Sequence, residues 1–203
     1  MLPDFTSTID ILFMSCAFGY LLGSIPFGIL IAKLLGLGDL RKIGSGNIGA
    51  TNVLRTGNKL AAFLTLLFDF SKGAFAIILI NHNFNADAVQ LAAVGALLGH
   101  CFPIWLKFRG GKAVATFLGI AVALSFPIGA VCCCVWLLVA LLARMSSLSS
   151  LISATSAPIT AIILNQLQVS ALLIFLAIIV IFRHQQNIVR ILKGIEPRIG
   201  KAE

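Results

Sequence analysis

The sequence predicts an all-α, polytopic integral membrane protein, and three features of its 203 residues support that prediction. Hydrophobic residues make up 59% of the chain and charged residues only 11%, with a mean hydropathy of +1.04. A soluble domain with a mostly polar exterior does not reach these values. The long apolar stretches supply about six or seven helices of membrane-spanning length, and nearly all cations fall between them. We therefore expect one membrane-embedded domain over residues 1–203.

The apolar stretches predict about seven transmembrane helices, at residues 11–32, 60–80, 88–106, 112–124, 127–143, 148–164 and 169–182. The fourth is too short to cross an average bilayer unaided. It is either tilted in a locally thinned bilayer or a half-helix that turns back at residues 125–127, which would leave five crossings and a re-entrant pair. The first helix follows Asp4 and Asp10 rather than cations, which argues against a cleaved signal peptide.

The distribution of cations predicts the orientation. With the amino end outside, 14 of the 15 Lys and Arg residues fall on the cytoplasmic side, while the opposite loops at 81–87 and 165–168 carry none. The positive-inside rule therefore places the carboxyl terminus in the cytoplasm. The fifteenth cation, Lys72, lies inside the second helix. We expect it to pair with Asp69 and face the bundle interior, since an unpaired charge in lipid is costly.

The net charge of +8 is compatible with several anionic partners. Nucleic acid is excluded because the cations stay close to the membrane ends and no soluble module presents aromatic side chains to bases. Anionic lipid or a phosphorylated substrate fits better. The five cysteines lie in apolar helices, so we expect no disulfide.

The first polar motif, GSGNIGATNVLR, occupies residues 44–55. It contains the letters GxGxxG, but a dinucleotide fingerprint needs a preceding strand and a βαβ unit, and here membrane helices flank it. Its glycines still permit a concave arrangement of amides that binds anions. The alternative is a flexible loop with a few lipid contacts. The candidate phosphate ligands of this motif are Ser45, Gly46, Asn47, Gly49, Thr51, Asn52 and Arg55.

The second motif runs from Gly99 to Thr116 and includes His100 and the sequence RGGK. A P-loop is excluded because Leu106 and Ala113 stand where its first glycine and its Ser or Thr would be. We expect Gly110 and Gly111 to open a helix with Lys112 in its first turn, so that free amides and the helix dipole form an anion site. The alternative is a helix start with snorkelling cations.

The third motif begins where the last helix leaves the membrane. His184 and Asn187 are three residues apart and would share a face if the helix continued. Glu196 and Arg198 follow and are predicted to support the site from behind. A juxtamembrane basic tail that binds anionic lipid is the alternative.

Together, the three motifs resemble the PlsY family of bacterial acyl-phosphate:glycerol-3-phosphate acyltransferases. The matching residues are SGNIGATNVLR at 45–55, the positions of GH-FP and GGK-VAT within 99–116, and those of H--NI-R---G-E-R within 184–198. Family features also occur in the first helix, at 20–28, and around Asp69 and Lys72. One departure is Ala113, where the family usually has glycine.

The resemblance implies that a fatty acyl group passes from acyl phosphate to the sn-1 hydroxyl of glycerol 3-phosphate, which yields lysophosphatidic acid and phosphate, the first step of bacterial phospholipid synthesis. Ser45, Arg55 and Lys112 are expected to bind substrate phosphate, while His184 and Asn187 orient glycerol 3-phosphate. Three groups are candidates for the base: His184, His100 or, as the resemblance favours, a substrate phosphate. His100 is otherwise expected either to bind substrate or to form a structural hydrogen bond towards the end of the third helix.

The same resemblance implies an enzyme of the bacterial inner membrane with its active site at the cytoplasmic face. It implies no cofactor and no metal. The expected partners are acyl phosphate, glycerol 3-phosphate and membrane lipid, and an enzyme that produces acyl phosphate is a candidate protein partner. The alternative function is a small transporter or flippase for an anionic phosphorylated metabolite, although transporters place their sites near the midplane rather than at one face.

Overall fold

A computed structural model describes residue 4 and residues 6–200 of the chain, and in this part it is an α-helical bundle without strands. The all-helical prediction is therefore confirmed. The helices are α1 (Ile9–Gly23), α2 (Phe27–Leu34), α3 (Ala50–Leu54), α4 (Lys59–Asn83), α5 (Ala86–Cys101), α6 (Val114–Leu124), α7 (Phe126–Ala143), α8 (Ser146–Ile163), α9 (Leu167–Arg183) and α10 (Gln185–Leu192).

The first predicted helix is interrupted at residues 24–26, between α1 and α2. Pro26 cannot donate a backbone hydrogen bond, so the helix breaks beside it. The carbonyls left without helical partners accept side-chain hydrogen bonds instead. Trp105 donates to the carbonyl of Ser24 at 2.7 Å, and Lys72 donates to that of Ile25 at 2.8 Å.

The other predicted boundaries differ at two functionally important places. Helix α6 begins at Val114, so Lys112 precedes the helix instead of lying in its first turn. The last predicted helix does not continue through the third motif, because α9 ends at Arg183 and α10 leaves it at an angle of 65°. His184 occupies the bend.

Five helical segments of the described residues are long and apolar enough to cross a membrane: Ile9–Leu34, Lys59–Asn83, Ala86–Leu106, Phe126–Ala143 and Ser146–Ile163. The bent pair formed by α9 and α10 would be a sixth. Helix α6 is shorter and forms a tight hairpin with α7, since a Cβ on Gly129 would lie only 2.3 Å from the side chain of Val122.

Small residues allow the central helices to pack backbone against backbone. A Cβ on Gly95 of α5 would lie 2.1 Å from the carbonyl oxygen of Cys16 in α1, and one on Gly19 would meet Ala92 at the same distance. Such close contacts stabilise helix association in lipid, where burial of apolar surface gives no driving force. Large apolar side chains such as Leu141 and Leu142 instead face outward.

The predicted ion pair inside the second span is present. Lys72 Nζ lies 2.8 Å from Asp69 Oδ1, and both side chains are buried between helices. The pair faces the bundle interior, as expected for charges that must avoid hydrocarbon.

Candidate active site

A cavity of about 420 Å³ opens between the three polar motifs and helices α4, α6, α7 and α8. The polar part of its lining, here called the polar half, includes Ser45, Asn47, Thr51, Asn52, Lys112, Ser146, Ser147, Ser150, His184 and Asn187. The apolar part, here called the apolar half, includes Phe63, Leu66, Leu67, Phe70, Val114, Ala115, Leu118, Cys133 and Trp136. Phe63, Leu66 and Leu67 are also exposed on the outer surface of α4, so the apolar half lies next to the hydrocarbon.

The loop that carries Ser45 is shaped by two glycines and one buried asparagine. Gly44 and Gly46 adopt φ angles of 47° and 65°, a region that favours glycine. Asn52 is 2% exposed; its Oδ1 accepts hydrogen bonds from the backbone N–H and the hydroxyl of Ser45, and its amide donates to the carbonyl of Leu40. Asn52 therefore fixes Ser45 at the cavity wall.

The turn that carries Lys112 is held from two sides. The N–H of Gly110 donates to the carbonyl of Cys101 and the N–H of Gly111 to that of His100, each at 3.1 Å. The expectation that these two amides are free for an anion is therefore wrong. The end of α5 uses them instead to fix the direction of the turn.

Arg183 closes the other side of this turn. Its guanidinium donates to the carbonyls of Gly110 and Gly111, both at 3.1 Å, and lies 5.1 Å from the ring centroid of Phe102. The planar fork of arginine suits such a two-pronged contact. Sequence reasoning missed this role, since the position of Arg183 at a membrane end indicated only a surface cation.

The free amides predicted at this site lie slightly further along the chain, at the amino end of α6. The first N–H groups of a helix have no intrahelical acceptor, and Ala113, Val114 and Ala115 line the cavity. Ala113 has φ 58° and ψ 19°, so this alanine is in the left-handed conformation.

A chain of hydrogen bonds connects Lys112 to the third motif. Lys112 Nζ donates to Asn187 Oδ1 at 2.6 Å, and Asn187 Nδ2 donates to Glu196 Oε1 at 2.6 Å. Ser147 donates to the same oxygen at 2.6 Å, and Arg190 Nε donates to Glu196 Oε2 at 2.7 Å. The amide of Asn187 is thus oriented by a carboxylate and presents its oxygen to the ammonium group.

The charges around the polar half affect two titrating groups outside the spans. Burial lowers the pKa of Lys112 to about 8. Nearby charges have smaller effects on this pKa: in decreasing order, Arg190 lowers it, Glu196 raises it, and Arg183 and Arg55 lower it. Burial alone would raise the pKa of Glu196, but its hydrogen-bond donors lower it overall. Glu196 is therefore ionised at neutral pH.

The two histidines of the motifs have different surroundings. His184 Nδ1 lies 2.7 Å from the carbonyl of Val180, which can only accept, so Nδ1 carries the hydrogen and Nε2 is the acceptor of the neutral ring. The His100 ring packs under Gly111, where a Cβ would lie 2.2 Å from Nε2. Of the two, His184 has the acceptor geometry of a base.

Nine predicted residues line the cavity: Ser45, Asn47, Gly49, Thr51, Asn52, His100, Lys112, His184 and Asn187. Gly46, Gly110, Gly111 and Glu196 lie behind the wall and shape it. Arg55 is exposed and lies against Gly44. Arg198 is exposed, and Arg190 rather than Arg198 pairs with Glu196.

Three contributors had no clear signal in the sequence. Ser147, in the serine-rich helix α8, donates a hydrogen bond to Glu196. Arg190 forms the ion pair with the same carboxylate. Trp136 belongs to the apolar half and donates to Ser150 at 3.2 Å.

A cavity of an α-helical membrane protein that is lined by both a cation and apolar side chains has the chemistry to hold an amphiphilic anion. The family model for glycerol-3-phosphate acyltransferase matches residues 13–194. A glycerol-3-phosphate acyltransferase of Cereibacter sphaeroides strain ATCC 17025 is 54% identical over 200 residues, which cover 98% of this chain and 95% of the relative. Its counterpart in Jannaschia sp. strain CCS1 is 52% identical over 201 residues, with 99% of both chains covered.

Two crystal structures of PlsY (YgiH), an integral membrane glycerol 3-phosphate acyltransferase, have the same fold. The glycerol 3-phosphate form matches with a TM-score of 0.88 and 38% identity over 93% of this chain and 96% of that one. The lysophosphatidic acid form matches with a TM-score of 0.87 and 36% identity over 93% and 95%. The chain belongs to the glycerol-3-phosphate acyltransferase family and is an acyltransferase.

Proposed function

We propose that this enzyme transfers a fatty acyl group from acyl phosphate to the sn-1 hydroxyl of glycerol 3-phosphate and releases lysophosphatidic acid and phosphate. The observation that carries the proposal is that polar and apolar side chains line one and the same cavity. Lys112 lies in the polar half, and Val114, two residues later, lines the apolar half. One substrate can therefore place its phosphate on the cation and its acyl chain in the apolar half.

The polar half has several donors for two anionic substrates. Lys112, the amino end of α6 and the Ser45 loop offer charge and N–H groups to phosphate oxygens. Arg55 lies beside Gly44 at the edge of the same loop and would add a bidentate contact. His184 and Asn187, on the opposite wall, would orient the glycerol hydroxyl groups.

Acyl phosphate is a mixed anhydride, so the enzyme has only to position the reactants and stabilise the leaving group. The sn-1 oxygen attacks the acyl carbonyl carbon, and the bond from that carbon to the phosphate oxygen breaks. The hydroxyl proton passes to a substrate phosphate or to His184 Nε2. Lys112 stabilises the charge that develops on the departing phosphate.

We further propose seven crossings, with the amino end outside and the cavity at the cytoplasmic face of the bacterial inner membrane. In support, the cavity is built by the loops that carry most cations, including Arg55 and Lys112, whereas the loop between α4 and α5 has none. Placing accessible cysteines in either loop and labelling intact cells with a membrane-impermeant thiol reagent tests the orientation. Labelling of the 44–58 loop from outside would reverse it.

The donor is tested with purified protein and labelled glycerol 3-phosphate. We expect product with acyl phosphate alone and none with acyl-CoA or acyl carrier protein. Robust turnover with acyl-CoA and none with acyl phosphate would refute the proposed donor. In that case an enzyme that makes acyl phosphate would no longer be expected as a partner.

We propose a sequential reaction without an acyl-enzyme. Cys101 is fully buried at the end of α5, and the Ser45 hydroxyl is bound to Asn52 rather than to a histidine. A nucleophilic serine would need a base within hydrogen-bonding reach. Mass spectrometry of protein incubated with donor alone should show no added acyl group; an acylated Ser45 or Cys101 would overturn this order of events.

A further inference from the structure

Four polar side chains form a buried cluster between α4, α5 and α6: Asp69, Lys72, His100 and Thr116. Each is at most 6% exposed. Charged groups at such depth are expensive and usually have a function. Asp69 and His100 reach the cavity wall, but the acyl transfer described above uses none of the four.

Hydrogen bonds give the cluster a defined geometry. Thr116 Oγ1 lies 3.0 Å from the carbonyl of Asp69 and 3.2 Å from His100 Nδ1. A hydroxyl has one hydrogen, and the carbonyl can only accept it, so Nδ1–H of His100 donates to Thr116. Asp69 Oδ1, at 3.7 Å from the same nitrogen, favours this tautomer.

One side of the cluster supports the Lys112 turn. The carbonyl of His100 accepts the N–H of Gly111, and its ring fills the space beneath that glycine. Thr116 lies four residues after Lys112, in the first turns of α6. A shift of the His100 ring or of Thr116 therefore moves the segment that carries Lys112.

The other side supports the Ser45 loop. Lys72 Nζ, which pairs with Asp69, donates to the carbonyl of Ile25 at the break before α2. Helix α2 then presents Gly28 to that loop, so closely that a Cβ there would lie 1.9 Å from the carbonyl oxygen of Ile48.

We propose that these four side chains are positioning residues that hold the Ser45 loop and the Lys112 turn at a fixed separation across the cavity. This inference rests on the proposed function, in which the two segments bind the phosphates of two reactants. Transfer between bound reactants is sensitive to small displacements, since an error of about 1 Å can cost about a hundredfold in rate.

The test uses Thr116→Val, which keeps the side-chain volume and removes the hydroxyl. The matched control is Thr65→Val: Thr65 is equally buried in α4, and its hydroxyl donates within its own helix, to the carbonyl of Ala61. Both variants lose a buried hydroxyl, so the melting temperature in detergent should fall for both, and further for Thr116→Val, which also removes the acceptor of His100 Nδ1–H.

We expect Thr116→Val to lower kcat/KM for glycerol 3-phosphate by roughly tenfold to a hundredfold, with a raised KM. Thr65→Val should stay within about twofold of the unmodified enzyme, and Thr116→Ser, which restores the hydroxyl, should recover most of the loss. Equal kinetic effects of the two valine variants, or unchanged kinetics of Thr116→Val, would refute a positioning role.

A second measurement does not depend on turnover. The rate at which a water-soluble amine reagent modifies Lys112, followed by mass spectrometry, should rise in Thr116→Val and not in Thr65→Val. Unchanged labelling in Thr116→Val would refute the inference. If the unmodified enzyme does not acylate glycerol 3-phosphate, the proposed function fails, and the labelling rates still decide whether Thr116 positions Lys112.

Discussion

Lys112 Nζ and Asn187 Oδ1 are joined by a hydrogen bond of 2.6 Å that bridges 75 positions of sequence. The bond connects the turn before α6 to the first turn of α10. Because Asn187 is in turn held by Glu196, the ammonium group has one preferred position at the cavity wall. The site is therefore pre-organised before substrate arrives.

Lys112→Ala should lower kcat/KM by more than about tenfold while the protein stays folded in detergent. A charge-assisted contact to phosphate contributes about 1.5–3 kcal/mol, and about 1.4 kcal/mol is already a factor of ten in rate. Steady-state kinetics with acyl phosphate and glycerol 3-phosphate measure the effect.

Lys107→Ala is the control for this variant. Lys107 is an exposed cation of the same loop, and its loss should change kcat/KM by less than about twofold because neighbouring cations also serve the membrane surface. Lys201, another peripheral cation predicted to matter little, lies outside the described residues. Equal losses for Lys112→Ala and Lys107→Ala would instead indicate a diffuse basic surface.

Arg55→Ala should also lower kcat/KM by more than about tenfold, and Arg55→Lys should recover only part of it. An ammonium group carries the charge but cannot reproduce the bidentate fork of a guanidinium. Kinetics of the two variants side by side provide the comparison. Full activity in Arg55→Lys would show that charge alone is sufficient.

The pH dependence of kcat/KM should show an alkaline limb near the pKa of Lys112, about 8. Below that pH the ammonium is charged and binds phosphate; above it the charge is lost and activity falls. The surrounding arginines stay charged, and Glu196, whose pKa is lowered, stays ionised. The limb therefore reports Lys112.

Lys112→Arg tests this assignment, because a guanidinium stays charged beyond pH 12. Whatever activity this variant retains should lose the limb between pH 7 and 10. A limb at the same pH in the variant would assign it to another group. In the unmodified enzyme the limb of kcat should lie at higher pH, because bound phosphate favours the charged amine.

Glu196→Gln should lower kcat/KM by about tenfold and also reduce stability, because hydrogen bonds to a charged group contribute about 1.5–3 kcal/mol. The carboxylate accepts from Ser147, Asn187 and Arg190, and its side chain is 6% exposed. Asp10→Asn, at an exposed carboxylate of α1, is the control. Full activity of Glu196→Gln would show that Asn187 needs no orientation by the carboxylate.

Ala113→Gly should be nearly neutral, whereas Ala113→Val should be strongly destabilising and inactive. The left-handed conformation costs alanine about 1–2 kcal/mol, which favours glycine at this position. Two effects favour alanine: its buried methyl group contributes about 0.8 kcal/mol, and glycine loses more backbone entropy on folding. These effects nearly cancel. A β-branched side chain is rarely found at this φ. Melting temperatures and kcat/KM of the two variants give the result, and an active, stable Ala113→Val would contradict it.

Composition and cation placement predicted the helical bundle because lipid allows only structures whose backbone groups are paired internally. They did not locate the break beside Pro26, where the distant Lys72 and Trp105 donate to the freed carbonyls. They also missed the bend at His184, after which Asn187 binds the distant Lys112. Nine of the site residues predicted from the motifs line the cavity, and the roles assigned to them stay predictions. The motifs could not show that the amides of Gly110 and Gly111 are used by α5, because this pairing is tertiary.

The exposed outer faces of Phe63, Leu66 and Leu67 on the apolar half of the cavity have a kinetic consequence. If the donor is a fatty acyl phosphate, as proposed, we expect it to reach this side of the enzyme by lateral diffusion within the leaflet, while glycerol 3-phosphate arrives from the aqueous phase. The degree to which the fatty acyl donor saturates the enzyme should therefore depend on the mole fraction of the donor among the lipids and not on its molarity. Diluting the donor with inert phospholipid at constant total amount should slow the reaction.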